Sequence, residues 1–336
     1  MRFARTSEQQ DMAQAVRDLL KASDVPSIAR AWANGSADAW WAVWRTLSSM
    51  GVPGVVVSER HGGLGLGPVE LAVCLEEIGY AGLPGPTVET LAAAPHLFTS
   101  TQDTATLARL VSGEALATVS FAEHGGWALD ADRAHLRVAC QGDRAVLAQG
   151  TISAPQPSFD AARHLFTVDS GRGEVLPAAD VDAAFLQGAL GCSAQLLGVG
   201  QRLLDLSVRH VRERHQFGRP IGEFQAVKHQ LANVRVDVDF ARPVLHGACV
   251  AWQNGGDHAA RDISAAKVVT SEAAYRAART ALQVHGAIGY TAEHDLHLWL
   301  TKATALRTAW GTPSWHRRRV AQALAECGTT VPIGGS

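Results

Sequence analysis

The sequence lacks the features that would send it into a membrane, out of the cell or onto a polyanion. Its first residues, Met1-Arg2-Phe3-Ala4-Arg5, carry no apolar stretch of the kind a secretory signal needs. No apolar run approaches the length of a membrane span, so no transmembrane segment is expected. The net charge of −2 gives no electrostatic footprint for nucleic acid or an anionic bilayer. Cysteines are few and odd in number: Cys74, Cys140, Cys192, Cys249 and Cys327. No pair has metal-ligand spacing, so no metal is expected, and the thiols read as buried and reduced in the cytoplasm. Lysine is scarcer still, with only Lys21, Lys228, Lys267 and Lys302, a skew that points to a GC-rich genome more than to a binding function.

What is present is an ordinary globular composition, 47% hydrophobic and 18% charged, over 336 residues. That length exceeds one hydrophobic core and predicts two or three packed domains. Residues 1–114 read as helical. Ser7 with Glu8, Gln9 and Gln10 makes a capped start, apolar residues recur at helical spacing from Met12 to Leu20, and Trp40, Trp41, Trp44 and Leu47 form a second stripe ended by Gly51. The tract His61-Gly62-Gly63-Leu64-Gly65-Leu66-Gly67-Pro68 is a loop, Val69 to Gly79 is helical, and Leu83-Pro84-Gly85-Pro86 breaks the chain again.

Between 115 and 184 short strand-like runs alternate with Gly, Pro and Asp: Ala117 to Phe121, Ala134 to Cys140, Ala145 to Leu147 and His164 to Val168. They predict a small all-β domain, at most a minimal barrel. From 185 to 328 long periodic helices return, over Leu190–Val211, within Gly222–Trp252, and over Arg261–His285, His294–Ala309 and Ser314–Cys327, as in an antiparallel bundle. Residues 329–336 read as a disordered tail. The fold class is mostly α, with a helical domain, a reduced middle β domain and a helical bundle in that order.

Two stretches carry chemistry. In Arg214-His215-Gln216-Phe217-Gly218-Arg219-Pro220-Ile221 a long helix ends near Arg214, Gly218 supplies its exit, and Pro220 forbids continuation. An arginine and two amides at such a break, Gln216 and the nearby Gln225, suit a phosphorylated ligand, although surface arginines with ordinary loop amides read the same way. In Gln283-Val284-His285-Gly286-Ala287-Ile288-Gly289-Tyr290-Thr291-Ala292-Glu293, two glycines three apart allow close backbone approach. His285 is a base only if it is not, as lone histidines near helix ends usually are, a structural residue.

Together these stretches resemble the acyl-CoA dehydrogenase family, whose signatures Arg-x-Gln-Phe-Gly-x-Pro-Ile-x-x-Phe-Gln and Gln-x-His-Gly-x-x-Gly-Tyr-Thr-x-Glu both occur with family-like separation. Leu47-Ser48-Ser49-Met50-Gly51, His61-Gly62-Gly63-Leu64-Gly65 and Glu76-Glu77-Ile78-Gly79 look like family segments too. The resemblance implies an acyl-CoA substrate, an electron-transfer acceptor, and FAD bound at a subunit interface. Arg214, Gln216, Phe217 and Gln225 would contact the cofactor's pyrophosphate and adenosine end, joined by Gln283, Val284, Gly286 and Ala287, and would serve a flavin lying mainly on the neighbouring subunit.

Two departures qualify it. Where the family has a segment like Thr-Glu-Pro-x-Ala-Gly-Ser-Asp, which holds the flavin ring and thioester, this chain has Ser120-Phe121-Ala122-Glu123-His124-Gly125-Gly126-Trp127. The family's base is a carboxylate, placed before Gly-Thr near the C-terminus or on the helix leading to the arginine motif; here those positions are Trp310 and Gly188. Asp182, Asp205 and Glu213 are the nearest carboxylates and read as solvated surface residues. His316-Arg317-Arg318-Arg319 reads as an anion site or, more simply, as a solvated helix face or subunit contact, and the tail resembles short actinobacterial members acting as paired unlike subunits on sterol side-chain CoA esters. The expectation is therefore the base-lacking subunit of an α2β2 enzyme with a paralogous partner. The alternatives are a self-sufficient enzyme with a displaced base and a non-catalytic scaffold.

Overall fold

A computed structural model describes residues 4–101, 103–291 and 294–326. Cys327, Glu293 and the 329–336 tail lie outside them. Helix α1 (Ser7–Ala22) opens on a capping box centred one residue earlier than Ser7. Thr6 Oγ1 accepts from the Gln9 N–H at 3.3 Å, and the Gln9 side chain accepts from the Thr6 N–H at 3.0 Å. An additional helix, α2 (Val25–Ala33), precedes the tryptophan stripe of α3 (Asp38–Ser49). Trp32, Trp40 and Trp44 pack ring on ring, with centroids 4.8 and 5.3 Å apart. Their indole N–H groups donate outward to Asp130, the Pro84 carbonyl and the Gly113 carbonyl, which pins α2 and α3 to three later segments of the chain.

Helix α4 (Pro68–Ala81) leads through a π-helical turn, Glu89–Ala93, into α5 (Ala94–Thr101) and α6 (Thr104–Val111). The middle of the chain holds β1 (Ala117–Phe121), β2 (Ala128–Leu129), β3 (Leu136–Gln141), β4 (Arg144–Ala148), β5 (Leu165–Phe166) and β6 (Gly173–Val175). The small β domain stops short of even the minimal barrel that its length allowed. The sheet is open, in the order β1-β3-β4-β6, with β1 parallel to β3 and the other pairs antiparallel, and β2 pairs with β5 apart from it.

Helix α7 (Val181–Glu213) begins nine residues before the sequence expectation and runs 33 residues through Gly188 and Gly191. It is long and apolar enough to cross a membrane, against the expectation that no run is, but its most apolar window is buried inside the protein, so it is the core of the bundle. Gly198 is needed there: a Cβ would stand 1.9 Å from the Glu76 carbonyl of α4, and one on Gly79 would stand 2.2 Å from the Gln195 carbonyl. The two backbones touch where both helices lack side chains.

A short ribbon, β7 (His215–Gln216) with β8 (Arg219–Pro220), precedes α8 (Gln225–Gln253), α9 (Ala259–His285), α10 (Leu296–Thr308) and α11 (Pro313–Glu326). One apolar core joins α1–α4 to the bundle, and a second lies between the sheet, α5, α6 and the start of α7.

Candidate functional site

The arginine stretch is built differently from its sequence reading. Helix α7 ends at Glu213, and Gly218 is not its exit but half of the β7–β8 turn. Phe217 and Gly218 both have positive φ, 53° and 80°, as a type I′ turn requires. A phenylalanine in that region is strained, and the turn holds its ring 90% exposed. Arg214, Gln216 and Gln225 are exposed on the same segment. Arg219 lies over the Phe224 ring at 4.3 Å, and no side chain caps the N-terminus of the 29-residue α8, which begins at Gln225.

The second stretch lies beside it. His210, one turn before Arg214, stacks on His285 at the end of α9 with centroids 4.1 Å apart. That contact, between residues 75 positions apart, brings the loop Gln283–Ala287 next to the ribbon. Gln283, Gly286 and Ala287 are exposed and Val284 is buried. Gly286 has φ 62° and ψ −139°, a conformation for glycine, with nothing crowding its missing Cβ. His285 donates from Nδ1 to the Ala281 carbonyl at 2.7 Å, burial lowers it to about 4, and its Nε2 is buried without a partner among the described residues. Neutral and held by backbone, it has the character of a structural residue. Along the middle of α8, Val236, Phe240 and Val244 are exposed at four-residue spacing.

The opposite end of the bundle holds the two positions at which the resemblance places a carboxylate. They are one place. A Cβ on Gly188 would meet the Trp310 ring at 2.0 to 2.4 Å, so the indole occupies the volume any side chain at 188 would need. Trp310 sits at φ 57° in a turn held from two sides. Lys267, fully buried, donates to the carbonyls of Leu306 at 3.1 Å, Arg307 at 3.2 Å and Gly311 at 3.5 Å. His316 donates from Nε2 to the Trp310 carbonyl at 2.8 Å. The expectation of a solvated face at His316 is corrected, because it is fully buried and burial pushes it down to about 3. Around Trp310 the rings of Phe121, His124, Phe185 and Trp315 pack on one another, with His124 stacked on Phe185 at 4.2 Å.

Asp182 is exposed and lines an open cleft of about 1160 Å³ beside this cluster. Asp205 is half-buried rather than solvated, accepting from Tyr80 Oη at 2.9 Å and Gln201 at 2.8 Å. Seventeen residues of helix separate it from Gly188, about 25 Å, and Glu213 is further still and exposed. The carboxyl that shares a cavity with Trp310 is one the sequence reading missed. Glu89, in the π-turn, lines a cavity of about 390 Å³ with Trp310, Phe121 and Arg163. Its only signal was a single charge inside the apolar run from Val88 to Leu97.

A helical layer, a small open sheet and a bundle of long helices, with an arginine ribbon and a glycine loop at one bundle end, define the acyl-CoA dehydrogenase class. The family's N-terminal domain model matches residues 6–114 and its C-terminal domain model residues 179–325. The chain is 32% identical over 279 residues to acyl-CoA dehydrogenase IpdE2 of Mycolicibacterium smegmatis, covering 83% of this chain and 86% of that one. It is 30% identical over 303 residues to the Mycobacterium tuberculosis protein of the same name, covering 88% and 91%. The ChsE4–ChsE5 complex from M. tuberculosis includes a chain of the same fold, at TM-score 0.83 and 24% identity, covering 97% of this chain and 99% of that one. The chain belongs to the acyl-CoA dehydrogenase family, and FAD is that family's cofactor.

The residues present fit one end of FAD and not the other. Arg214, three exposed glutamines, an uncapped helix N-terminus and an open Gly286 suit a pyrophosphate and adenosine. At the segment expected to hold the ring, Phe121 and His124 instead pack into the aromatic cluster.

Proposed function

We propose that this chain is the cofactor-completing, non-catalytic subunit of a heteromeric acyl-CoA dehydrogenase, an α2β2 assembly with a paralogous partner. The observation that carries this reading is the overlap of Trp310 with the space above Gly188, which leaves neither position able to hold a carboxylate. The partner then supplies the base and the flavin-ring pocket. This chain supplies Arg214, Gln216, Phe217, Gln225, Gln283, Val284, Gly286 and Ala287 to the dinucleotide end. The exposed stripe of Val236, Phe240 and Val244 along the middle of α8 supports a subunit contact. Bound FAD would supply the hydride acceptor, and the α-proton of the thioester would pass to the partner's carboxylate. A sterol side-chain CoA ester is the proposed substrate, in line with a solved steroid acyl-CoA dehydrogenase of the same fold, at TM-score 0.84 and 23% identity over 96% of this chain.

The test is the flavin-to-chain ratio after purification with and without the co-expressed partner. The chain alone should be colourless and the assembly yellow, with Arg214→Ala shedding flavin on dilution. Loss of one charge-assisted contact corresponds to about tenfold weaker retention or more. A full complement of FAD on the isolated chain would overturn the reading.

A further inference from the structure

We infer that His210 and His285 are positioning residues for the dinucleotide end of the site, a ring pair that holds the arginine hairpin against the glycine loop only while both rings are uncharged. Each histidine stands directly behind one of the two loops. His210 lies one turn before the end of α7, and its carbonyl accepts from the Arg214 N–H at 2.9 Å. His285 ends α9, and the next residue, Gly286, caps that helix by donating to the Leu282 carbonyl. The two rings meet face to face, 4.1 Å between centroids and 22° from parallel. A third ring, His294 just before α10, stands edge-on to His285 at 5.2 Å and 64°. Three segments far apart in the sequence thus converge through imidazoles.

The hydrogen bonds fix which protonation state this arrangement accepts. His285 uses its Nδ1–H on the Ala281 carbonyl at 2.7 Å. Its Nε2 is buried with no partner among the described residues, so a proton arriving there would find no acceptor. His294 Nδ1 accepts from the Leu296 N–H at 3.1 Å, which requires that nitrogen to be unprotonated. A charge on His285 would also lie against the His210 ring, with His294 acting on both. On α7 the charged groups facing His210 are Arg214, which opposes a second positive charge, and Glu213, which favours one. Burial lowers His210, and it lowers His285 to about 4. With the rings apart, His285 takes a proton near the ordinary 6.5; stacked, it refuses one until about 4. The contact therefore has its full strength above pH 6.5 and weakens as pH falls toward 4. Each pH unit in that window lowers the ratio of closed to open loops by up to about tenfold.

This role rests on the proposed reading that both loops hold one cofactor, and two measurements keep the two apart. The first is hydrogen exchange by mass spectrometry on the full chain without flavin or partner, corrected for the intrinsic effect of pH. Between pH 7.5 and pH 5, protection in the peptides carrying the Arg214 and Gly286 amides should fall at least about tenfold more than in α4. His210→Phe, with a ring that cannot charge, should match the parent at pH 7.5 and lose less protection at pH 5. His210→Lys, charged throughout, should show at pH 7.5 the low protection that the parent shows at pH 5. The position is half-buried, so neither side chain is forced into the core. The second measurement is flavin retention on dilution at pH 7.5 in the co-expressed assembly, where the Phe variant should match the parent and the Lys variant shed FAD. The same pH profile in the parent, Phe and Lys proteins, or normal flavin retention by the Lys variant, would overturn the positioning role. Where Arg214→Ala sheds flavin in the same assay, the paired-subunit reading survives that failure; where it keeps flavin, both fall.

Discussion

Burial lifts Glu89 from the ordinary 4.5 to about 7, and linkage gives the sign of its effect on stability. Between those values the unfolded chain releases the proton while the folded chain keeps it. The unfolded state therefore binds fewer protons, and stability falls as pH rises from 4.5 to 7, then levels off. Glu89→Gln removes that slope. The variant should match the parent near pH 4 and exceed it at pH 8 by about 3 kcal/mol, read from urea midpoints at the two pH values. An identical pH dependence in both proteins would place the carboxyl in water. The sequence could show that Glu89 is a charge in an apolar run, but not that a cavity shared with Arg163 lies against it, because Arg163 is 74 positions away. His316 was unreadable for the related reason that its arginine neighbours look like a wet surface while its own ring turns inward onto the Trp310 carbonyl.

At the scale of elements, the strongly periodic helices were legible, and the errors fell where glycine has two meanings. Helix α7 was expected from Leu190 but begins at Val181, and Gly188 and Gly191 within it make room for Trp310 and for Leu75, Ala92 and Val88. Gly218 looks like a helix exit, yet Glu213 ends the helix and the glycine serves a hairpin. Strand β6 is exposed along its length and has no alternation to reveal it. The hairpin gives a test of its own. Phe217 at φ 53° holds an exposed ring with backbone strain, and glycine would relieve it. Phe217→Gly should raise the stability of the isolated chain by about 1 kcal/mol, visible as a higher melting temperature, and at the same time weaken assembly or flavin retention. Lower stability with intact assembly would show that the ring packs at home. A second element test concerns the α4–α7 crossing. Gly198→Ala places a methyl on the Glu76 carbonyl and should cost about 1–3 kcal/mol, measured by chemical denaturation.

Across the whole molecule, the paired signatures made the family legible because their spacing survives even where the chemistry between them has changed. What they could not show is that the two sites lie at opposite ends of the bundle, one open and polar, the other closed by stacked rings. If catalysis belongs to the partner, no carboxyl of this chain is essential to it. Asp182→Asn, Asp205→Asn, Glu213→Gln and Glu89→Gln, each within the assembled enzyme, should leave α-proton exchange with solvent largely intact. Loss of a general base lowers rate by about 10²–10⁴-fold, so a drop of that size at any one of them, with flavin still bound, would make this chain self-sufficient.

The shared volume of Gly188 and Trp310 also constrains how this chain can change over generations. A carboxylate introduced at 188 alone collides with the indole, and glutamate at 310 alone empties a space that an aromatic ring fills, a loss of about 3–5 kcal/mol for large-to-small changes. Neither change is viable as a first step, so a carboxylate enters this spot only through two simultaneous substitutions or a crippled intermediate.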